Sequence, residues 1–308
     1  PPLYSSAASD VYKRQDPGID DAAAISIALN HPEIDVKMIT TVHGNVNIDK
    51  TTRNALQLKA FFESDVPVHR GAVAPLINAP IDASHVHGET GMGGYELPEP
   101  SPELLASNRA IEAMRETILE SDEPITLVPI GPLTNIALLF KTYPEVKSNI
   151  KAIVLMGGSA GRGNVTPAAE FNIYCDPEAA DIVFKAGLPI TMVGLDVARG
   201  ASLSSTAINE LKSINQTTHM LYHMFNHYHG DEFDTGIAVY DAYTMLYLLH
   251  PEHFKTADAA VAIELNGTYT RGATVVNYNA QEKSVNVVLA VDKTRFKQLF
   301  FEALSYAK

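Results

Sequence analysis

Short apolar runs rich in β-branched residues alternate along this chain with stretches that have helical periodicity. Continuous buried strands that alternate with amphipathic helices are typical of a parallel sheet covered by helices. We therefore predict an α/β fold of Rossmann-like type, with an open, mostly parallel sheet flanked by helices. The predicted strands are residues 36–42, 125–130, 152–156, 190–195, 260–265 and 285–291. The predicted helices are residues 20–30, 51–62, 102–120, 133–140 and 177–186, and a last one from Thr294.

The chain has 308 residues, and no repeat, low-complexity tract or linker divides it. We therefore predict a single domain over residues 16–308. Residues 1–15 have neither strand alternation nor a helical period, and we interpret them as an atypical or artefactual N-terminal segment. A disordered terminus or a cloning remnant explains them, and so does a misassigned gene start that replaced a genuine first strand.

The charged residues and the cysteine content exclude several classes of protein. The net charge is −13 at pH 7 and no Lys/Arg cluster interrupts it, so nucleic acid is a poor candidate partner. No run of about 18 apolar residues is present, which argues against a transmembrane helix. The start also lacks a charged-then-apolar signal peptide. The single cysteine, Cys175, excludes an intrachain disulfide framework and is typical of the cytoplasm, where we expect this protein.

Polar residues follow most of the predicted strands. In open α/β sheets, ligands bind outside the carboxyl ends of the strands, so these residues are expected to converge although they are distant in sequence. They are residues 43–45, 131–135, 157–159 and 163–172, together with Asp241 before a late helical stretch. Asn164, Glu170 and Asn172 offer the donors and acceptors that sugar hydroxyls need, although such a loop is more often only a turn.

The densest group of acids is Asp16, Asp20 and Asp21, in the segment DPGIDDA. These carboxylates repel one another, so a cation or a hydrogen-bonded ligand is needed to keep them all ionised. Ligands that are all oxygen favour a hard cation, either Ca²⁺ or Mg²⁺, and the spacing is not that of an EF-hand loop. The alternative is a solvated turn in which the acids cap a helix.

Six segments together resemble the inosine-uridine-preferring nucleoside hydrolase family, in particular its bacterial ribonucleoside hydrolases of broad specificity. They are DPGIDDA (16–22), GNVNIDKTTRNA (44–55), HGETGM (87–92), IGPLTNIALL (130–139), MGGSAGRGNVTPAAEFNIYCDPEAA (156–180) and GLDVA (194–198). The resemblance implies the nucleoside hydrolase type of fold and hydrolysis of the N-glycosidic bond of purine and pyrimidine ribonucleosides. It also implies a role in nucleoside salvage and a homodimer or homotetramer.

The resemblance assigns roles to matching positions of this chain. The metal would be Ca²⁺, and Asp16 would also take the proton of the attacking water. The implied metal ligands are Asp16, Asp21, the carbonyl of Ile130, and Asp241. The implied substrate contacts are Asp20, Asn172 and Asp241 at the 2′- and 3′-hydroxyls, Asn164 and Glu170 at the 5′-hydroxyl, Asn45 near the water and ribose, and His87, Met156 and Phe171 around ribose and base.

Two positions depart from the family pattern. Arg14 replaces the first Asp of Asp-Thr-Asp-Pro-Gly, and losing such a supporting carboxylate costs about 10–100-fold in affinity or activity. Tyr240 replaces a His that protonates the leaving base in many relatives, and an ordinary Tyr pKa is ~10 against ~6.5 for His. We assign leaving-group contact to Tyr240, with Tyr228 as the other candidate. The chain has no Trp, which excludes the Trp-stacking mechanism of purine-specific relatives in its usual form.

Two other functions stay open. An Asp-x-Asp phosphatase with Mg²⁺ also places acids after a first strand, but here the first Asp is absent and Pro-Gly follows the second. A degenerate relative that binds Ca²⁺ and ribose but turns over poorly is suggested by Arg14 and Tyr240. The histidines also have spacings that metal sites use, but we interpret the later group as a polar helix face or a lid over the substrate. They are His85 and His87, and then His219, His223, His227 and His229.

Overall fold

One sheet runs through the whole molecule. The computed structural model describes residues 9–15, 18–81, 83–227 and 236–308, with the backbone alone for residues 9–15 and His87. The strands are β1 (Ser9–Gln15), β2 (Ile34–Thr41), β3 (Val68–Arg70), β4 (Leu105–Ser107), β5 (Ile125–Pro129), β6 (Ile150–Met156), β7 (Ile190–Val193), β8 (Phe254–Ile263), β9 (Thr274–Asn277) and β10 (Val285–Val291). In the described part of the chain they form a ten-stranded sheet in the order β4-β3-β2-β1-β5-β6-β7-β10-β8-β9.

The sheet is parallel from β4 across to β10, and only its last two strands are antiparallel. β8 pairs antiparallel with β10, and β9 pairs antiparallel with β8. All the other strand pairs of this sheet are parallel. The predicted open, mostly parallel sheet is therefore confirmed.

Helices cover both faces of the sheet. They are α1 (Ile19–Asn30), α2 (Ile48–Phe61), α3 (Ser84–His87), α4 (Ala110–Glu120), α5 (Thr134–Thr142), α6 (Phe171–Cys175), α7 (Pro177–Phe184), α8 (Ser205–Leu211), α9 (Gln216–His227), α10 (Tyr240–Leu249) and α11 (Lys293–Ser305). Short 3₁₀ helices occur at Pro102–Leu104, Pro144–Asn149, Leu195–Ala198 and Pro251–His253.

Two apolar layers, one on each face of the sheet, make up the core. Successive residues of a strand point to opposite faces, so β6 sends Val154 and Met156 into one layer and Ile153 and Leu155 into the other. The first layer contains α1, α2 and α8 to α11, and the second contains α4, α5 and α7. Burial on both faces explains why these strands are continuous apolar runs rather than alternating ones.

The order of the strands creates a crevice at β1. This strand lies between β2, which follows it in the chain, and β5, which the chain reaches much later. Ligands in open α/β sheets bind at such a reversal of strand order, outside the carboxyl ends of the strands. The helices that follow β1 and β5 are α1 and α5. Their first turns therefore lie at the predicted ligand site.

The short strands β3 and β9 were not predicted, and three further segments differ from the sequence predictions. Ser9–Gln15 form the strand β1, although this segment carries no strand pattern and was interpreted as atypical. The predicted helix over residues 102–120 is instead a 3₁₀ turn, the strand β4 and the shorter helix α4. The strand predicted over residues 260–265 begins earlier, at Phe254. Its first half was missed because the exposed Lys255 and Asp258 interrupt the apolar pattern.

The break in the predicted helix over residues 102–120 has a local cause. Leu105 and Ser107 pair with Val68 and His69 of β3. The Ser107 hydroxyl accepts a hydrogen bond from the backbone N–H of Arg109 at 3.1 Å. A serine that satisfies a nearby backbone N–H competes with helix formation, so the helix begins only after it.

Among the residues that the structure describes, no helix is both long enough and apolar enough to cross a bilayer.

Asn135 connects three elements at the carboxyl edge of the sheet, and its replacement should destabilise the fold. Its Oδ1 accepts from Ala72 N at 2.8 Å, and its Nδ2 donates to Thr41 O at 2.9 Å. Asn135→Leu removes both bonds, although Thr41 O keeps the one from Gly71 N, and we expect a total cost of about 1–3 kcal/mol. We expect a lower urea midpoint of unfolding, with the exposed Asn209→Ala as a control that leaves it unchanged. An unshifted midpoint for Asn135→Leu would contradict this role.

Candidate functional site

Three carboxylates converge at the first turns of two helices, and we call them the acid cluster. Asp20 and Asp21 belong to α1, and Asp241 belongs to α10. A ligand oxygen from each lies within 4.8 Å of those from the other two. Asp21 and Asp241 are buried, and Asp20 is half-buried. Carboxylates this close repel one another unless a proton or a cation is shared, whereas the two helix dipoles favour their ionised form.

The packing of α1 against α10 brings these acids together. Six of the twelve residues of α1 are alanine or isoleucine with no exposed surface, which lets neighbouring helices approach closely. The Asp21 carboxylate is oriented by its own helix, because Gly18 N donates to Asp21 Oδ2 at 2.8 Å. The same oxygen accepts from Asn45 Nδ2 at 3.2 Å. Asn45, predicted near the ribose, therefore lies at the acid cluster.

Asn172 joins the carboxyl ends of β5 and β6. Its Nδ2 donates to Ile130 O at 3.0 Å and to Met156 O at 3.2 Å, and it lies 3.1 Å from Met156 Sδ. All three residues are buried. The predicted metal-ligating carbonyl and two of the predicted substrate residues therefore lie together.

Glu170 is a buried carboxylate at the start of α6. It accepts backbone hydrogen bonds from Asn172 at 2.8 Å, from Gly158 at 2.8 Å and from Ile173 at 3.1 Å. Burial raises the pKa of Glu170 to about 7, the three N–H bonds oppose this, and the charge of Asp20 adds to it. Glu170 therefore lies within electrostatic range of the acid cluster.

Asn164 and Phe171 are linked across the loop that precedes α6. Phe171 N donates to Asn164 Oδ1 at 2.9 Å. Asn164 is exposed and Phe171 is half-buried, as residues at the rim of a site are. The loop between them closes on itself, because Gly163 N donates to Pro167 O at 3.1 Å and Asn164 N donates to Ala169 O at 3.1 Å.

Tyr240 immediately precedes Asp241 in α10 and is half-buried. The predicted leaving-group residue and an acid of the cluster therefore share one helical turn. Asp16 and Tyr228 lie outside the described residues, as does the side chain of His87. Their predicted roles stay predictions.

Three buried residues with no predicted catalytic or binding role form a chain of hydrogen bonds beside the site, and two of them, His43 and Thr134, come from segments that were expected to converge. Thr134 Oγ1 donates to Asp176 Oδ2 at 2.6 Å and lies 3.1 Å from His43 Nε2. Because the hydroxyl has one hydrogen, it accepts from His43 Nε2–H, which assigns the tautomer of His43. These hydrogen bonds hold His43, two residues before Asn45, and so support the segment that carries Asn45. A signal for Asp176 was present, because Asp-Pro-Glu before a helical stretch is an N-cap pattern.

The histidines of α9 face the segment 88–95. The rings of His219 and His223 are 4.7 Å apart and both contact Tyr95. His227 lies so close to Gly93 that a Cβ at that glycine would meet its ring at 2.2 Å. These histidines therefore share one face of α9, which packs against this segment. In the part of the chain that the structure describes, only the acid cluster brings three potential metal ligands together.

Comparison with known proteins identifies the family. Residues 12–298 match the model of the inosine-uridine preferring nucleoside hydrolases. The chain belongs to this family. It is 50% identical to the non-specific ribonucleoside hydrolase RihC of Salmonella newport, over 95% of this chain and 96% of that protein.

Solved structures agree with this assignment. A purine-preferring ribonucleoside hydrolase from Gardnerella vaginalis is 31% identical with a TM-score of 0.89, covering 96% of this chain and 98% of that one. A plant nucleoside hydrolase is 32% identical with a TM-score of 0.86, covering 97% and 99%. The predicted family, fold type and enzyme class, a ribonucleoside hydrolase, are therefore confirmed.

Glu170 gives the fold a testable pH dependence. Its folded-state pKa of about 7 lies above the ordinary 4.5, so the folded protein binds this proton more tightly than the unfolded chain does. The stability that this proton contributes is fully present below the unfolded-state pKa and is lost as pH rises through the folded-state pKa. The free energy of unfolding of the wild type should therefore fall across this window by about 3 kcal/mol more than that of Glu170→Gln.

The measurement is urea unfolding of both proteins at about pH 5 and about pH 8, in a chelator so that no cation competes with the proton. The exposed Glu282→Gln serves as the control and should keep the wild-type slope. Equal slopes in the wild type and Glu170→Gln would show that Glu170 is ionised throughout.

Proposed function

We propose that this chain hydrolyses the N-glycosidic bond of purine and pyrimidine ribonucleosides to free base and ribose, with Ca²⁺ bound at the acid cluster. The observation that carries the proposal is the acid cluster itself, at the carboxyl edge of the sheet with Asn45 bonded to it. The breadth of substrates is supported by the 50% identity to a relative named as non-specific.

The donor set fits a hard cation. Its ligand atoms are carboxylate oxygens, two of the acids are buried, and no sulfur belongs to the cluster. We assign Asp16, Asp21, Asp241 and the carbonyl of Ile130 as ligands. Ca²⁺ takes about six to eight oxygens, so this set leaves positions for a water and two sugar hydroxyls, which favours Ca²⁺ over octahedral Mg²⁺. When bound, Ca²⁺ lowers the pKa of the attacking water and orients the ribose.

The residues of the chain supply the rest of the chemistry. Asp16 accepts a proton from the attacking water as general base. Asp20, Asn172 and Asp241 bind the 2′- and 3′-hydroxyls. The transition state of glycosidic cleavage is oxocarbenium-like, so carboxylates beside the ribose stabilise the positive charge that develops on the sugar.

The remaining contacts orient the substrate at its two ends. Glu170 and Asn164 bind the 5′-hydroxyl, with Met156, Phe171 and His87 around ribose and base. Tyr240 donates a hydrogen bond to the leaving base, and its position one residue before Asp241 in α10 supports this assignment. Tyr228 is the second candidate for contact with the base.

We further propose that the enzyme acts in nucleoside salvage in the cytoplasm as a homodimer or homotetramer, as its family membership suggests. Its net charge of −13 argues against nucleic acid as a partner.

The acid cluster should be indispensable for turnover. Asp21→Asn keeps the size of the side chain but removes one charge, and kcat/KM should fall by at least ~10³-fold. A chelator should abolish the wild-type activity, and Ca²⁺ should restore it. The measurement is the release of reducing sugar from purine and pyrimidine ribonucleosides, with their 2′-deoxy analogues expected to react ~10⁴-fold more slowly.

The exposed Asp258→Asn on β8 is the matched control and should keep full activity. Phosphate release from phosphomonoesters without sugar release would identify the phosphatase alternative. Nucleoside and Ca²⁺ binding without base release would identify the degenerate relative.

The Tyr240 hydroxyl should affect kcat only for substrates whose leaving group must be protonated. Tyr240→Phe keeps the ring but removes the donor, and kcat for ribonucleosides should fall about 10²-fold. Cleavage of 4-nitrophenyl riboside should stay unchanged, because 4-nitrophenolate leaves without protonation. An equal loss for both substrates would assign Tyr240 to packing rather than proton donation.

A further inference from the structure

The turn that follows β6 is bound by side chains from three separate parts of the chain. This turn, residues 157–160, leads into the loop that ends at Glu170. Its partners are Glu170 itself, Asp196 in the 3₁₀ helix after β7, and Thr274 at the start of β9. A turn bound from three sides has little freedom to move. It is therefore suited to orient whatever it contacts.

Asp196 binds the end of the turn. Its Oδ2 accepts from Ala160 N at 2.6 Å and from Ser159 Oγ at 3.3 Å. Its Oδ1 lies 3.4 Å from Arg199 Nη2. Asp196 is buried, and a carboxylate that accepts from a backbone N–H forms a stronger bond than a neutral acceptor does.

Thr274 holds the same turn from its other side. Its hydroxyl accepts from Ser159 N at 2.9 Å and donates to Ser159 O at 2.6 Å. Gly158 has φ +76°, and a Cβ there would lie 2.8 Å from Thr274 Cγ2 and 2.9 Å from Met192 Sδ. Only glycine satisfies both the conformation and the space, so the backbone of the turn approaches β9 very closely.

The turn connects Asp196 to the candidate substrate site. Gly158 N, one residue before Ser159, donates to Glu170 Oε2 at 2.8 Å. If the turn shifts, this donor shifts with it, and Glu170 keeps only the bonds from Asn172 N and Ile173 N at its own helix. The direction of the Glu170 carboxylate thus depends on contacts made by Asp196 and Thr274.

We propose that Asp196 and Thr274 are positioning residues that orient Glu170 through the turn at residues 157–160, and thereby set recognition of the ribose 5′-hydroxyl. The proposal rests on the proposed function, in which Glu170 binds that hydroxyl. Both residues would act through the turn rather than through a contact of their own with the substrate. Their effect is therefore confined to substrates that carry a 5′-hydroxyl.

The test compares uridine with 5′-deoxyuridine in variants at both positions. Asp196→Asn and Thr274→Val should each lower kcat/KM for uridine about 10-fold, while kcat/KM for 5′-deoxyuridine stays at the wild-type value. Thr274→Ser keeps the hydroxyl and should retain wild-type values for both substrates. In a double-mutant cycle, Asp196→Asn combined with Glu170→Gln should be no worse for uridine than Glu170→Gln alone.

The outcomes separate this proposal from the proposed function. Wild-type protein that releases no sugar from either substrate would refute the proposed function. If the wild type cleaves uridine, but Asp196→Asn and Thr274→Val lose activity equally on both substrates, the positioning role is overturned and the proposed function stands. Additive losses in the double-mutant cycle would overturn it as well. The Asp258→Asn control should show no loss with either substrate.

Discussion

The repulsion among the three acids of the cluster is the constraint on which the site depends. Asp21 and Asp241 are buried, and Asp20 stands beside them, so their charges are close together in a region with little water. Concentrated negative charge is tolerable at the first turns of two helices, because the helix dipoles present their positive ends there. The parallel sheet places the start of α1 at its carboxyl edge, and the packing of α10 against α1 brings the second helix start beside it. The arrangement of the helices therefore offsets part of the repulsion among the acids that it brings together.

Around this negative centre, the structure relies on amides more than on further charges. Asn45 bonds to Asp21, Asn135 joins β2 to the segment after β3, and Asn172 joins β5 to β6. An amide both donates and accepts, so it satisfies buried backbone groups without adding to the repulsion. Glu170 departs from this pattern, as does Asp176 beside the site. The pKa of Glu170 is raised by its burial, and the charge of Asp20 adds to this.

Much of the fold and part of the candidate site could be predicted from local patterns. Apolar runs predicted β2, β5, β6, β7 and β10, because strands buried on both faces leave that signature. The segment DPGIDDA predicted a group of acids able to hold a cation, and two of its three acids, Asp20 and Asp21, do lie in the acid cluster. The strand β1 was not predicted, since its sequence has no apolar alternation and its pairing comes from β2 and β5. The contacts among Asp196, Ser159 and Thr274 could not be predicted either. These hydrogen bonds join residues up to 115 positions apart and leave no periodic pattern in the sequence.

The hydrogen bond from Gly18 to Asp21 has a consequence for how the site assembles. This bond closes the first turn of α1, and it also sets the direction of a carboxylate that points into the acid cluster. Helix initiation and ligand orientation are therefore a single event in this chain. An ion that arrives at the cluster meets an oxygen already oriented by folding. The conformational entropy of that side chain is lost when the helix forms rather than when an ion binds, and preorganisation of this kind increases the affinity of a site for its ligand.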